Sequence, residues 1–270
     1  MIKRLIACLM LTGCAFGQTD YVLATKSVAP FWVVPSVTMP LTLWTNAVFW
    51  PTTESPVLNA GTTNAQWLCY AKNCAGNATQ TVEASQPQTI TTNGVKALLF
   101  DGGDFLKTDL VSSNFNSAWT IAAWIRHSGG NVSVPRLIFH KAGTSGGQDR
   151  GSLAISGTNV FMSVAISTLV STNRITVASG ELAFVCVTYN RTGPVVGHYK
   201  NGNVVFIGTP DNPVSTTTGE GKSAIGCFNQ DSPNNHYVGE MLQPPFVFNR
   251  ALSTNEVLQL YNATKGRYGL

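Results

Sequence analysis

An all-β chain, folded as two stacked antiparallel sheets with one short C-terminal helix, is predicted by three features of the sequence. Of 270 residues only 17 are Lys or Arg and 13 Asp or Glu, so 11% are charged, against about 25% in an ordinary soluble domain. Helical bundles, coiled coils and expanded disordered chains need charge on their surfaces, and here Thr, Asn, Ser and Gly take that place. The 25 Gly and 13 Pro residues suit many short strands joined by tight turns. Apolar residues alternate over short runs, which is the strand period, and only one stretch near the end carries the helical period.

Residues 18–40 contain Ala29-Pro30, Val34-Pro35 and Met39-Pro40 with little periodicity. They are expected to form a tether or a first edge strand, with one domain over residues 41–270. Lys96 to Phe100 and Phe105 to Val111 flank Asp101-Gly102-Gly103-Asp104, a tight turn in which Gly supplies positive φ and Asp bonds its own backbone. Trp119 to His127, Arg136 to His140, Val160 to Ile166 and Arg174 to Ala178 alternate as strands, and Ser152 to Ser156 is strand-like. Leu182 to Tyr189 follows. Val195 to Tyr199 and Val204 to Ile207 are joined through Asn201-Gly202, the strongest hairpin signal in the chain. Ala224 to Phe228 and Val238 to Phe248 complete the set. Pro244-Pro245 predicts that the last strand lies at an edge or is broken there.

Ser253-Thr254-Asn255-Glu256 is a capping box: the Ser hydroxyl accepts from the N3 amide while Glu256 reaches back to the Ser253 amide. Val257, Leu258 and Tyr261 then recur at helical spacing, which predicts the C-terminal helix. Trp119 and Trp124, five positions apart, point to opposite faces of one strand. Arg250, just after a strand, is expected to satisfy carbonyls or pair with Glu240.

At the N-terminus, Lys3 and Arg4 precede the apolar run Leu5 to Leu11. The run is too short to span a bilayer, and it fits an export signal over residues 1–17. Leu11-Thr12-Gly13-Cys14 resembles a bacterial lipobox, which would make Cys14 a lipidation site and the chain a surface or outer-membrane lipoprotein. Ala15-Phe16-Gly17 offers a rival cut that would release a secreted chain starting at Gln18. Without Lys3 and Arg4 the balance is 15 minus 13, or +2, and no run of five basic residues occurs. Nucleic acid is therefore excluded as a partner, and the membrane is reached only through a lipid anchor. Of the four later cysteines, Cys69 and Cys74 close a small loop and are the expected disulfide. Cys186 and Cys227 lie in apolar runs as buried thiols or a second bridge.

Four stretches carry a family resemblance. Asn73-Cys74-Ala75-Gly76-Asn77-Ala78-Thr79-Gln80, preceded by Trp67, is similar to an early "SGNGNDATQ" loop. Ala97 to Leu106 is close to an "LRFDGSDDYL" hairpin, and Trp119 to Ile125 to "FTISAWV". Gly239-Glu240 with Phe248 to Val257 is very like a closing "GxIDEVRIYNRALSDAEI", and it is the most specific of the four, because a strand, a turn and a capped helix occur together. Over roughly residues 40–265 the chain thus resembles the concanavalin A-like lectin/glucanase superfamily, most closely its bacterial laminin G-like domains.

The resemblance implies a jelly-roll sandwich that recognises a glycan or a surface protein through rim loops. Gly143 to Gly151 and Asn229 to Tyr237 are the long polar loops. Asp149, Arg150, Asn234, Asn235, His236 and Tyr237 are the candidate contact residues, with Tyr237 offering a stacking face. No cofactor is required. Calcium is the ion the resemblance suggests, with Asp101, Asp104 and Asp231 as candidate ligands. A second reading is a structural appendage or virion-decoration protein whose sandwich packs against copies of itself as an oligomer.

Catalytic chemistry is not expected. Retaining glycosidases need two carboxylates about 5 Å apart, and no Glu-x-Asp-x-Glu strand exists here. Gly143-Thr144-Ser145-Gly146-Gly147 matches a nucleophile elbow in letters but has no helix after it. Gly219-Glu220-Gly221-Lys222-Ser223 imitates the end of a P-loop, yet an apolar strand follows it. His127, His140, His198 and His236 sit in no metal-spacing cluster.

Overall fold

The computed structural model describes residues 43, 47–49, 51–58, 64–69, 77–111, 117–129, 135–141, 151–163, 173–211, 221–228, 231 and 233–270. In chain order the strands are β1 (Ala47–Phe49), β2 (Pro51–Leu58), β3 (Asn64–Cys69), β4 (Ala78–Thr79), β5 (Gln88–Thr92), β6 (Val95–Asp101), β7 (Leu106–Val111) and β8 (Ala118–His127). There follow β9 (Arg136–His140), β10 (Ser152–Ser156), β11 (Asn159–Ser163), β12 (Ile175–Thr176), β13 (Leu182–Asn190) and β14 (Val195–Lys200). Then come β15 (Asn203–Gly208), β16 (Lys222–Ile225), β17 (Val238–Phe248) and the helix α1 (Thr254–Lys265).

The strands form two antiparallel sheets. The first runs β15-β14-β13-β8-β17-β6-β5, with β1 also on β17. The second runs β12-β11-β10-β9-β16-β7-β4-β3-β2. The expected two-sheet antiparallel jelly-roll sandwich with one C-terminal helix is what is found. Leu98, Phe100, Ile121, Ile125 and Val187 of the first sheet meet Leu106, Ile138, Phe139, Leu153 and Ile225 of the second in one buried core.

The outer face of the first sheet is also buried, because α1 lies across it. Val257 and Leu260 of the helix pack with Ala122, Trp124, Phe184 and Leu242. The two tryptophans divide as the strand period requires: Trp119 belongs to the core between the sheets and Trp124 to the layer under the helix. The capping box forms, with Ser253 accepting from the Glu256 amide and Glu256 from the Ser253 amide. Arg250 departs from expectation. Its guanidinium binds both oxygens of Glu256, at 2.9 and 2.6 Å, while Glu240 pairs across the sheet with Arg126 at 2.8 Å. Glu240 and Arg126 are register partners on adjacent strands, and Arg250 stands beside the helix start, so proximity decides both pairings.

Strand β17 also differs from the expectation for Pro244-Pro245. It lies centrally between β8 and β6, not at an edge, and is continuous from Val238 to Phe248. Its register against β8 slips between Met241 and Gln243 and again between Gln243 and Phe246. Pairing with β6 ends at Met241 and pairing with β1 starts at Val247. The prolines therefore sit in the gap between two neighbours on that side, where their missing N–H groups are not needed.

Candidate functional site

At one end of the sandwich β6 finishes, β9 begins and residues 233–237 lead into β17. The turn after β6 is held by its own acids. The Gly103 amide donates to Asp101 Oδ1 at 2.8 Å, and the Asp101 amide donates to Asp104 Oδ2 at 2.9 Å. Gly102 has φ +106°, and a Cβ there would stand 3.1 Å from Val238 Cγ2, so both the backbone sign and the space call for glycine. Asp104 is buried. Desolvation raises its carboxyl from 3.8 to about 6, partly opposed by the Asp101 amide.

Three main-chain bonds fix the neighbouring segment. Phe228 N–H donates to Asn234 O at 2.9 Å, Leu137 N–H to Asn235 O at 3.0 Å, and Tyr237 N–H to Gly226 O at 2.7 Å. Asn235 adopts φ +51°, a left-handed conformation that asparagine tolerates better than most residues. His236 is thereby seated against the acidic turn. Its Nδ1 lies 3.2 Å from Asp104 O, and a carbonyl accepts, so Nδ1–H donates to it. The ring meets Phe105 edge-on at 5.8 Å, and Arg136 Nη1 reaches the His236 carbonyl at 3.5 Å. Asn234 is exposed beside them. Below this layer His127 is buried. Burial holds its pKa below the usual histidine value, opposed by the backbone of Val238 and Gly157 and aided by the charge of Arg136.

The anticipated contact residues separate. Asn234, Asn235 and His236 share this rim, but Tyr237 corrects the reading: its ring is fully buried, meets Phe100 edge-on at 5.9 Å, and offers no stacking face. Strand alternation explains it, because Tyr237 and Met241 both belong to the core between the sheets. Asp149 and Arg150 lie outside the described residues. Arg136 and Phe105 went unnoticed in the sequence. They reach His236 through contacts between residues far apart in the chain, for which no local pattern exists.

Asp101, Asp104 and Asp231 do not assemble into a calcium site. Asp101 and Asp104 accept from turn amides, Asp231 is exposed and its charge acts on Lys222, and the described residues contain no group of three His, Cys, Asp or Glu side chains. Other carboxylates are paired with cations: Glu240 with Arg126, Glu181 with Lys200, Asp109 with Lys222 and Glu256 with Arg250. Lys222 and Ser223 open strand β16, so the P-loop-like letters precede a strand. The Gly143–Gly147 motif, Cys14 and the Cys69–Cys74 pair fall outside the described residues, apart from the backbone of Cys69 in β3. Cys186 and Cys227 are buried thiols in separate apolar clusters, one under α1 and one beside Phe105 and Ala224. Burial raises both, Cys227 to about 12. No described helix is long and apolar enough to cross a membrane.

A family model described as the concanavalin A-like lectin/glucanases superfamily matches residues 100–258. No curated protein matches the chain. Among solved structures, the binding domain of Paraclostridial Mosquitocidal Protein 1 is similar with TM-score 0.54 and 14% identity, over 82% of this chain and 53% of that one. The botulinum neurotoxin type G receptor binding domain follows at 0.52 and 12%, over 80% and 51%. The binding domain of botulinum neurotoxin DC, in complex with rat synaptotagmin II, is similar at 0.52 and 11%, over 82% and 52%. The chain spans about half the length of these structures, and at such identities the likeness is one of fold.

Proposed function

The chain belongs to the concanavalin A-like lectin/glucanases superfamily, and from that premise we propose that it is a non-catalytic, exported binding module reading a carbohydrate or a protein surface with the loops at one end of its sandwich. The observation that carries this is the seating of His236. Main-chain bonds from β9 and from Phe228 hold its segment, and the Asp104 carbonyl accepts from its ring. Phe105 meets the ring edge-on, Arg136 reaches the His236 carbonyl, and Asn234 is exposed two residues before it. Donors and acceptors fixed in advance on rigid strands suit hydroxyl-rich or polar ligands, because little ordering remains to be done on binding.

The lectin half of the family description supports a glycan. Structures of the same fold named as receptor binding domains support a protein surface. A non-catalytic role is supported by Glu240, Glu181, Asp109 and Glu256, each of which faces a cation. Export rests on the signal-like pattern of residues 1–17.

A glycan array and a polysaccharide pull-down with the purified chain test the reading, repeated with His236→Ala and Arg136→Ala. Binding that weakens at least tenfold in both variants, with the melting temperature retained, is the expected result. Absence of any glycan or surface-protein binding would overturn it and leave the structural-appendage reading.

A further inference from the structure

Two Asn-Gly pairs stand in the sequence, Asn93-Gly94 and Asn201-Gly202. Each closes a two-residue hairpin, and the φ values nearly coincide, at +50° and +76° in one and +51° and +78° in the other. Thr92 pairs with Val95 around the first turn and Lys200 with Asn203 around the second. The first joins β5 to β6 at one end of the first sheet's strand order, and the second joins β14 to β15 at the other. Letters, turn and place in the sheet match, and the surroundings differ.

In an Asn-Gly pair the asparagine side chain meets the next residue's nitrogen with least hindrance, because glycine has no Cβ to obstruct the approach. The asparagine must leave its turn conformation to do so. At Asn201 it is held: Oδ1 accepts from the Phe184 amide at 2.9 Å, and the Asn201 N–H donates to Phe184 O at 2.8 Å. Gly202 is buried beneath α1, where a Cβ would stand 2.9 Å from Leu258 Cδ1 and 3.0 Å from Tyr261 Cδ1. At the other turn Asn93 and Gly94 are both exposed, and among the described residues nothing lies within 4 Å of where a Gly94 Cβ would stand. Opening that turn does not require a helix to lift, so it is the less costly local fluctuation.

We propose that Asn93 is a site of spontaneous succinimide formation and deamidation, and that Phe184 and α1 protect Asn201 from the same reaction. The Gly94 nitrogen, its proton given up to solvent base, attacks Cγ of Asn93. The new C–N bond closes a ring, the bond from Cγ to the side-chain nitrogen breaks, and that nitrogen leaves as ammonia with a proton taken from water. Water then opens the ring at either carbonyl, giving aspartate or isoaspartate. Both products add a carboxylate, and isoaspartate also inserts a methylene into the main chain, which a two-residue turn cannot hold in register. Thr92, next in the chain, accepts from the Arg126 guanidinium that pairs with Glu240, so the change reaches a pairing that links β8 to β17.

Ageing the folded chain at mildly alkaline pH over days, followed by peptide mapping with mass spectrometry and isoaspartyl methyltransferase labelling, tests this. Parallel samples are aged in urea, and Asn93→Ser is aged folded. Product at Asn93 is expected to accumulate at least tenfold faster than at Asn201 in the folded chain, and at about equal rates at the two sites in urea. Hydrogen exchange over residues 88–92 should rise in the aged wild type and stay unchanged in aged Asn93→Ser. Equal rates at the two sites of the folded chain overturn the proposal, as does an Asn93 that stays intact when folded while it converts in urea. A difference that persists in urea overturns the protection by Phe184 and α1.

Discussion

At Asp104 burial and hydrogen bonding pull in opposite directions, and burial wins. Its carboxyl titrates at about 6 in the folded chain against 3.8 ordinarily, so the folded state holds its proton more tightly than the unfolded chain does. The stability this group contributes is complete below about pH 4 and is lost as pH rises through 6. Asp104→Asn keeps an oxygen to accept from the Asp101 amide and removes the titration. The variant should match the wild type at pH 4 and exceed it at pH 7 by up to about 3 kcal/mol. Urea denaturation at the two pH values checks this, and a constant difference between the proteins would refute it. Comparing the two proteins matters because His198 works in the other sense. Burial lowers it to about 4, so its contribution is complete above pH 6.5 and is lost on acidification.

On the scale of elements, the helix start shows how one pairing organises a terminus. Arg250 and the Ser253 amide both hold the Glu256 carboxylate, and the guanidinium is the larger cause of its fall to about 2. That stability is present above the ordinary value of 4.5 and is lost as pH falls toward 2. Arg250→Met should cost about 1–2 kcal/mol at pH 7, discounting for partial exposure, and almost nothing near pH 2; thermal melts at both values would reveal it. The capping box was legible because its pattern is local, and so was the Asn201-Gly202 hairpin, whose residues have φ of +51° and +78°. Asn93-Gly94 makes the same turn, at +50° and +76° between β5 and β6, and its signal stood in the sequence unused because Thr-rich flanks hid the alternation. Strands β2 and β3 were not legible at all. Backbone pairing defines them, and Pro51, Pro56 and the polar residues between break the apolar period.

The helix is held to the first sheet by what lies under it. Trp124 donates to Thr264 Oγ1 at 2.8 Å, and its ring packs against Tyr261 and Tyr268 at 5.6 and 4.6 Å. Trp124→Phe removes that donor and part of the ring, and should cost about 2–4 kcal/mol, concentrated in the docking of α1. Hydrogen exchange should then speed up over residues 254–265 more than in β8 itself; uniform protection across both elements would count against a local role. The sandwich followed from composition and period. The rim did not, because which segments share an end depends on strand direction and pairing, and Asp104, Arg136 and His236 meet there from three distant parts of the chain. By lying over the middle of the first sheet, α1 seals that broad surface against visitors. On that side of the molecule diversification is thereby confined to the sheet's perimeter, where new specificities can be grafted while the strands beneath stay as they are.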